Sequence, residues 1–166
     1  MTERNKNLRN LTEVNWYRES TFVSASDGKG NRIFGDGTYV LRFIGDVKFQ
    51  IGETSHINRM VEVMDNLKKQ EKAEPIQLPS NSYMKKLNKA TNKRYSVCKI
   101  VGREIFVDCR LLYEMTKVLG DTKGYSAKLE GYTTGNKRVE RTAIYLKGQN
   151  GDGLLMPLDC KTRKCE

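Results

Sequence analysis

An amphipathic helix set between strand-like segments constrains the fold of this chain most. Residues 109–119 read CRLLYEMTKVL. Apolar side chains recur there at the three- and four-residue spacing of one buried helix face: Leu111, Leu112, Met115, Val118 and Leu119. Asp108 precedes the stretch as a helix cap, and Gly120 follows it as a stop. A helix with a single apolar stripe buries that stripe against another element, so we expect it to pack on a sheet.

Strand patterns occur on both sides of this helix. Before it, the runs STFVSAS, RIF, TYVLRFIG and VKFQIG are broken by DGKGN and Gly-Asp-Gly, which predicts a meander of antiparallel strands. RYSVCKIVGREIFVD predicts two strands around Gly102. After the helix, YSAKLEGYTT, RTAIYLKG and GLLMPLD predict three more, with turns at 135–136 and 150–153. The sequence therefore predicts an α+β fold in which helices pack on antiparallel sheet.

Two further helices are predicted from the same periodicity. The first begins at Thr54 or Ser55 and buries one stripe: Ile57, Met60, Val61, Met64 and Leu67. The second follows Ser80 as its cap and covers residues 80–91. It places apolar residues on one side, namely Tyr83, Met84, Leu87 and Ala90, and basic residues on the other, namely Lys85, Lys86 and Lys89.

Composition divides the chain into four segments. Residues 1–13 form a flexible basic start, residues 14–74 combine the meander with the first helix, residues 75–159 form an α+β module, and residues 160–166 are a basic tail. The connector EKAEPIQLP marks the boundary between the two larger segments. No apolar run approaches about 18 residues, and MTERNKNLRN lacks the pattern of a signal peptide. We therefore expect a cytoplasmic protein that makes no membrane contact.

The positive charge is concentrated in the second half of the chain. Lys and Arg number 30 against 20 Asp and Glu, a net charge of +10. Residues 1–80 carry 12 basic and 11 acidic side chains, whereas residues 81–166 carry 18 and 9. Such a concentration suits a polyanionic partner, because each neutralised phosphate releases counterions. A solvated face that keeps the protein soluble is the alternative interpretation.

Signals of catalysis or metal binding are weak. His56, the single histidine, lies in the first turn of a predicted helix, where a surface position is the simpler interpretation. The chain has no phosphate-binding loop of the G-x-x-x-x-G-K-[ST] type and no D-x-D pair. The cysteines are not arranged as C-x-x-C, so Cys98 and Cys109 are predicted to be buried and Cys160 and Cys165 to be tail thiols. We expect no cofactor, no metal and no enzyme activity.

Three aromatic residues near the basic stretch could stack on nucleic-acid bases. They are Tyr83, Tyr95 and Phe106. Their spacing fits core positions better, which leaves binding led by charge and directed at the nucleic-acid backbone.

Residues 95–158 resemble the repeating module of bacterial DNA sliding clamps, the β subunit of DNA polymerase III. The strand GREIFVD leads into the helix CRLLYEMTKVLG, two strands follow, of which the second is AIYLKG, and the segment closes on GDGLLMPL. Bacterial clamps end on a similar apolar-apolar-Met-Pro-apolar strand. The resemblance departs from the family at Asp159, where clamps generally carry an arginine, and in the overall basic charge. The chain also supplies at most one clamp domain and part of another.

The resemblance implies a helical face against DNA and a C-terminal docking pocket. Together with the basic stretch, it assigns the DNA contacts to Lys85, Lys86, Lys89, Lys93, Arg94, Arg110 and Lys117. By position, a pocket for a partner protein would be lined by Leu154, Met156, Pro157 and Leu158. The interpretation is a non-enzymatic clamp-like accessory or processivity factor of a phage or mobile element, with a homo-oligomeric ring left open. It would bind DNA, dock replication or repair partners, or do both. The alternative is a protein-directed inhibitor or decoy of a host nucleic-acid enzyme.

Overall fold

An antiparallel sheet is the centre of the structure. The structure, a computed structural model, describes residues 23–26, 31–35, 38–44, 65, 74–91, 96–100, 102, 105–132 and 138–158. Within these ranges the sheet strands are β1 (Val23–Ser26), β2 (Asn31–Gly35), β3 (Tyr39–Ile44), β4 (Glu74–Ile76), β7 (Lys123–Tyr132), β8 (Arg138–Gly148) and β9 (Gly151–Leu155), in the spatial order β1-β2-β3-β9-β8-β7-β4. A separate hairpin pairs β5 (Val97–Lys99) with β6 (Phe106–Asp108), and two helices are described in full, α1 (Asn81–Ala90) and α2 (Cys109–Leu119). The predicted α+β class is confirmed.

Strands from the two predicted segments belong to the same sheet. β1, β2 and β3 form the described part of the predicted meander, and the predicted strand at 47–52 lies outside the described residues. β3 then pairs with β9, with Tyr39 opposite Leu155 and Phe43 opposite Gly151. The prediction of a connector at residues 71–79 was wrong in its middle part, since Glu74–Ile76 is strand β4 and pairs with β7. The sheet thus continues across the position where the sequence places a boundary.

Local signals for the two helices are confirmed at their ends. The Ser80 side chain accepts a hydrogen bond from the Tyr83 amide at 3.2 Å and begins α1. Asp108 accepts hydrogen bonds from the amides of Arg110 and Leu111 and begins α2. α2 ends at Gly120, whose φ of 83° favours glycine.

The turn between β8 and β9 completes the C-terminus of α2. The Asn150 amide donates to the Leu119 carbonyl at 2.9 Å, and the Asn150 side chain donates to the Val118 carbonyl at 3.2 Å. These bonds satisfy carbonyl groups that a helix end leaves without partners. These two hydrogen bonds hold the C-terminal end of α2 against the turn between β8 and β9.

Each face of the sheet carries its own apolar cluster. The helix-side cluster joins α1, α2 and the β5–β6 hairpin to the side chains of Tyr39, Leu41, Phe43, Ile144, Leu146 and Leu155. The opposite cluster contains Ile33, Val40, Ala127, Ala143, Tyr145 and Leu154. Neighbouring residues of a strand point to opposite faces, so Leu154 and Leu155 complete one cluster each. Both are fully buried or nearly so.

The C-terminal apolar segment is only partly a strand. β9 ends at Leu155, although the sequence predicts a strand over residues 153–159, the last of which lies outside the described residues. The predicted turn at 150–153 is also shorter in the structure, because Gly151 and Asp152 are already in β9. Beyond the strand, the Met156 amide donates to the Thr38 carbonyl and the Leu158 amide to the Phe106 carbonyl, each at 2.8 Å. The segment therefore crosses from the large sheet to the small hairpin.

Several predicted features lie outside the described residues. These are the basic start, the first helix except Asp65, the turn at 135–136, the basic tail, His56, Tyr95, Cys160 and Cys165. Asp65 itself is helical. Within the described ranges, neither helix is long and apolar enough to cross a membrane.

Candidate nucleic-acid interface

Helix α1 presents a basic surface. Its sequence, NSYMKKLNKA, contains three lysines and no acidic residue. Lys85, Lys86 and Lys89 are all exposed, as the sequence predicts. We call these three residues the α1 lysines. They project from a helix whose inner face is anchored by Met84, which is fully buried in the helix-side cluster.

Arg110 fixes the end of α1. It is the second residue of α2, and its guanidinium donates hydrogen bonds to the carbonyls of Asn88 at 3.3 Å and Thr91 at 2.8 Å. These carbonyls belong to the C-terminal end of α1, where a cation is also favoured by the helix dipole. The sequence suggests Arg110 as a phosphate contact. In the structure it is a half-buried cap that ties α2 to α1.

Lys117 is engaged with its own helix. Its ammonium lies 3.8 Å from the Glu114 carboxylate and 5.1 Å from the centroid of the Tyr113 ring. The lysine side chain is 33% exposed. Lys117 is therefore less exposed than the α1 lysines, and its ammonium already has partners within α2. Lys93 and Arg94 lie outside the described residues.

Tyr83 is exposed, and the prediction of a core position for it was wrong. Its side chain retains 54% of its accessible surface. The reason is the narrow stripe that α1 buries: Met84 is fully buried, while Leu87 and Asn88 are half-buried. At about 100° per residue, Tyr83 lies roughly a quarter turn from the middle of this stripe. Phe106, by contrast, is partly buried, and the Lys99 ammonium lies 5.8 Å from its ring centroid.

The predicted docking residues at the C-terminal segment do not form one exposed set. Leu154 has no accessible surface and belongs to the sheet core, so it cannot contact a partner in this conformation. Met156, Pro157 and Leu158 are half-buried, and Met156 packs against the same cluster as Leu154. The partly accessible apolar surface therefore begins at Met156.

A buried ion-pair network lies on the sheet face opposite the helices. Arg42 on β3 donates from Nε and a terminal nitrogen to the two oxygens of Asp152 on β9, at 2.9 and 2.7 Å. Tyr145 on β8 donates to the same carboxylate at 2.8 Å, and Arg42 also binds Asp65. The hydrogen bond to Asp152 raises the pKa of Arg42 above its ordinary value. Burial, followed by the Asp152 charge, raises the pKa of Tyr145.

Sequence reasoning missed this network. Asp152 lies within NGDG, a string typical of turns, and nothing local connects it to an arginine on β3. Arg42, Tyr145 and Asp152 are buried on the face of the sheet that carries the opposite cluster, whereas the side chain of Asp65 is 40% exposed. The arrangement is that of a structural contact between β3, β8 and β9.

Cys98 and Cys109 are buried, which confirms the prediction for both. Cys98 lies on β5 and Cys109 is the first residue of α2. The hydrogen bond to the Cys109 sulfur, together with burial, raises the pKa of the Cys98 thiol. A raised pKa makes the Cys98 thiol a poor nucleophile at neutral pH. The hydrogen bond from Cys98 lowers the pKa of Cys109, which is shielded from solvent by its complete burial. Across the described residues, no group of His, Cys, Asp and Glu side chains is placed to hold a metal ion.

Two adjoining surface depressions lie at the start of α1. The first, of about 470 Å³, is lined mostly by polar residues between α1 and the end of α2, among them Ser80, Asn81, Thr116 and Lys117. The second, of about 450 Å³, runs along β4 and the start of β7. The side-chain hydroxyl of Thr116 donates to the Tyr113 carbonyl within its own helix. Leu78 and Thr122 line both depressions, so the two share a border.

Comparison with known proteins adds no family assignment. No protein-family model, no curated protein and no solved structure matches the chain. The resemblance to sliding clamps over residues 95–158 therefore remains a prediction from the sequence.

Proposed function

We propose that this protein is a non-enzymatic accessory factor that binds DNA through the sugar-phosphate backbone at the α1 lysines. The observation that carries the proposal is the surface of α1, where three exposed lysines occur on a helix without any acidic residue. The charge distribution of the chain supports it, since residues 81–166 hold nearly all of the net charge. A clamp-like role in replication or repair is the wider form of the proposal and rests on the sequence resemblance.

The geometry of α1 suits phosphate binding. Lys85 and Lys89 are four residues apart, so their backbone positions are separated by about 6 Å along the helix. Flexible ammonium groups at this spacing reach successive phosphates without a fixed hydrogen-bond geometry. The helix itself is held by the Ser80 cap, by Met84 in the core and by Arg110 at its end. The lysines therefore project from a fixed base, and binding through them carries little sequence preference.

Charge reversal on α1 tests the proposal. The binding of a fluorescent duplex is measured by anisotropy at about 50 and 200 mM salt for the wild-type chain and for Lys85→Glu/Lys86→Glu/Lys89→Glu. We expect weaker binding by the variant and a salt dependence that is shallower by roughly 3 in log–log slope, since each lost phosphate contact removes about 0.9.

A matched control carries the same charge change elsewhere. Lys123, Lys128 and Lys147 are exposed on β7 and β8, and their replacement by Glu lowers the net charge equally. Equal losses in both triple variants would mean that overall charge, and not α1, determines binding. Unchanged binding by the α1 variant would refute the proposal.

Partner docking at residues 156–158 is a second candidate function. It is supported by three consecutive apolar residues that remain half-exposed although their backbone is tied to Thr38 and Phe106. The test is a pull-down from nuclease-treated bacterial lysate with the wild-type chain and with Met156→Ala/Leu158→Ala. A partner held by the wild type and lost by a folded variant would support docking, and equal recovery would exclude it.

A further inference from the structure

Tyr83 and the α1 lysines form a continuous surface. Tyr83 and Lys86 are three residues apart, which makes them neighbours on the same side of the helix. Ala90 continues this row and is also exposed, so its small side chain leaves the surface around Lys86 open. Lys89 lies about 60° from Lys86 around the helix axis, and Lys85 follows it. An aromatic ring therefore borders a strip of positive charge.

The position of Tyr83 is fixed by its backbone. Its amide donates to the Ser80 side chain at the first turn of α1, so the residue is part of an ordered cap. The next residue, Met84, is fully buried. Tyr83 is the large hydrophobic side chain that the described part of the chain leaves exposed, and its ring stays accessible. A single exposed aromatic needs no explanation on its own, but one placed beside three lysines has the composition of a base-stacking surface.

We propose that this surface binds nucleic acid with unpaired bases, with the α1 lysines on the phosphates and the Tyr83 ring stacked on a base. The inference rests on the proposed function and adds to it a preference for single-stranded nucleic acid over a duplex, which the lysines alone would still bind. In a duplex, each base is already stacked on its neighbours and its face is closed to a side chain on the outside. In a single strand, the face of any base is open to the ring, whatever the sequence.

The experiment compares three labelled probes in anisotropy titrations at one salt concentration. They are an oligothymidine of about 20 nucleotides, the same length of abasic strand, and a blunt duplex of equal length. The abasic strand keeps the phosphates and lacks the bases. The variants are Tyr83→Ala, Tyr83→Phe and the α1 triple reversal, each checked for its thermal midpoint by circular dichroism.

Tyr83→Ala is expected to weaken binding to oligothymidine by about tenfold or more, because one stacked base is lost. Its affinity for the abasic strand and the duplex should change less than about twofold. Tyr83→Phe keeps the ring and should bind all three probes as the wild type does. The wild type should also bind oligothymidine more tightly than the abasic strand, a comparison that needs no variant.

The outcomes separate this inference from the proposed function. Equal affinity of the wild type for oligothymidine and the abasic strand, or a Tyr83→Ala effect that is the same for all probes, would overturn base stacking. If the triple reversal weakens every probe while Tyr83→Ala weakens none, backbone binding stands and the single-strand inference falls. If the triple reversal has no effect, the proposed function falls with it.

Discussion

Removal of the Asp152 carboxylate should destabilise the protein strongly. In Asp152→Ala, Arg42 loses two hydrogen bonds and Tyr145 loses one. The side chains of Arg42 and Asp152 are each 11% exposed, so water cannot replace the lost partner well. Breaking a buried pair in this way costs about 3–5 kcal/mol. Asp65 remains bound to Arg42, so we expect a loss at the lower end, about 3 kcal/mol.

Urea unfolding followed by far-UV circular dichroism measures this loss. With a slope of roughly 2 kcal/mol per molar urea, the midpoint should fall by about 1.5 M. Asp65→Ala is the matched control. Its carboxylate binds the same arginine but is 40% exposed. An exposed partner of this kind contributes about 0–1 kcal/mol.

The reasoning also predicts a rescue. In Arg42→Met/Asp152→Leu, both charges are replaced by apolar side chains, and most of the lost stability should return because no buried charge is left alone. If Asp152→Ala costs no more than Asp65→Ala, burial does not determine the strength of this network. If the double variant is less stable than Asp152→Ala, the ion pair contributes net stability and the argument from desolvation is wrong.

Three further predictions concern the core. Burial raises the pKa of the Tyr145 hydroxyl in the folded protein. The contribution of the neutral hydroxyl to stability is therefore fully present below the unfolded pKa of about 10 and is lost as the pH rises above that value. Tyr145→Phe should flatten the decline of the unfolding free energy above this pH, and an unchanged decline would contradict the assignment. Cys98 and Cys109 should react with iodoacetamide only after unfolding, because both thiols are buried, and mass spectrometry would map the modified residues. Rapid modification of either thiol under native conditions would mean that the contact between the β5–β6 hairpin and the start of α2 opens easily. In Gly148→Ala, the new Cβ would lie 2.5 Å from the Leu119 carbonyl oxygen. This clash should lower the unfolding free energy by about 1–3 kcal/mol. A thermal midpoint equal to that of the wild type would show that the end of β8 can move away from α2 without loss of stability.

Signals that act over a few residues were readable from the sequence. The limits of α2 follow from Asp108 and Gly120, because a cap and a positive-φ stop depend on neighbouring atoms alone. The exposed α1 lysines follow from helical spacing for the same reason. β4 was not recognised, because Glu74 and Pro75 are poor strand formers and the strand exists through its pairing with β7. Strand pairing over such a distance leaves no mark in the local composition.

The differences between the predicted and the observed surroundings of Tyr83, Arg110 and Asp152 have a similar origin. Helical spacing places Tyr83 beside the apolar residues of α1, but only the packing partner decides how wide a stripe is buried. Arg110 was assigned to phosphate because of its charge, whereas the carbonyls it caps belong to a helix that ends 20 residues earlier in the chain, at Ala90. Asp152 binds an arginine 110 residues away, which a turn-like string cannot reveal. In each case, the missing information is the identity of a distant neighbour.

The pairing of β3 with β9 has a consequence for biosynthesis. Arg42 and Asp152 are separated by 110 residues. A ribosome adds about 5–20 residues per second, so β9 is synthesised roughly 5–20 s after β3. During this interval Tyr39, Leu41 and Phe43 lack the strand that covers one side of β3 in the finished sheet. An incomplete sheet edge of this kind is a binding site for chaperones and a starting point for aggregation. The nascent chain therefore exposes an unpaired edge of β3 between the synthesis of β3 and that of β9.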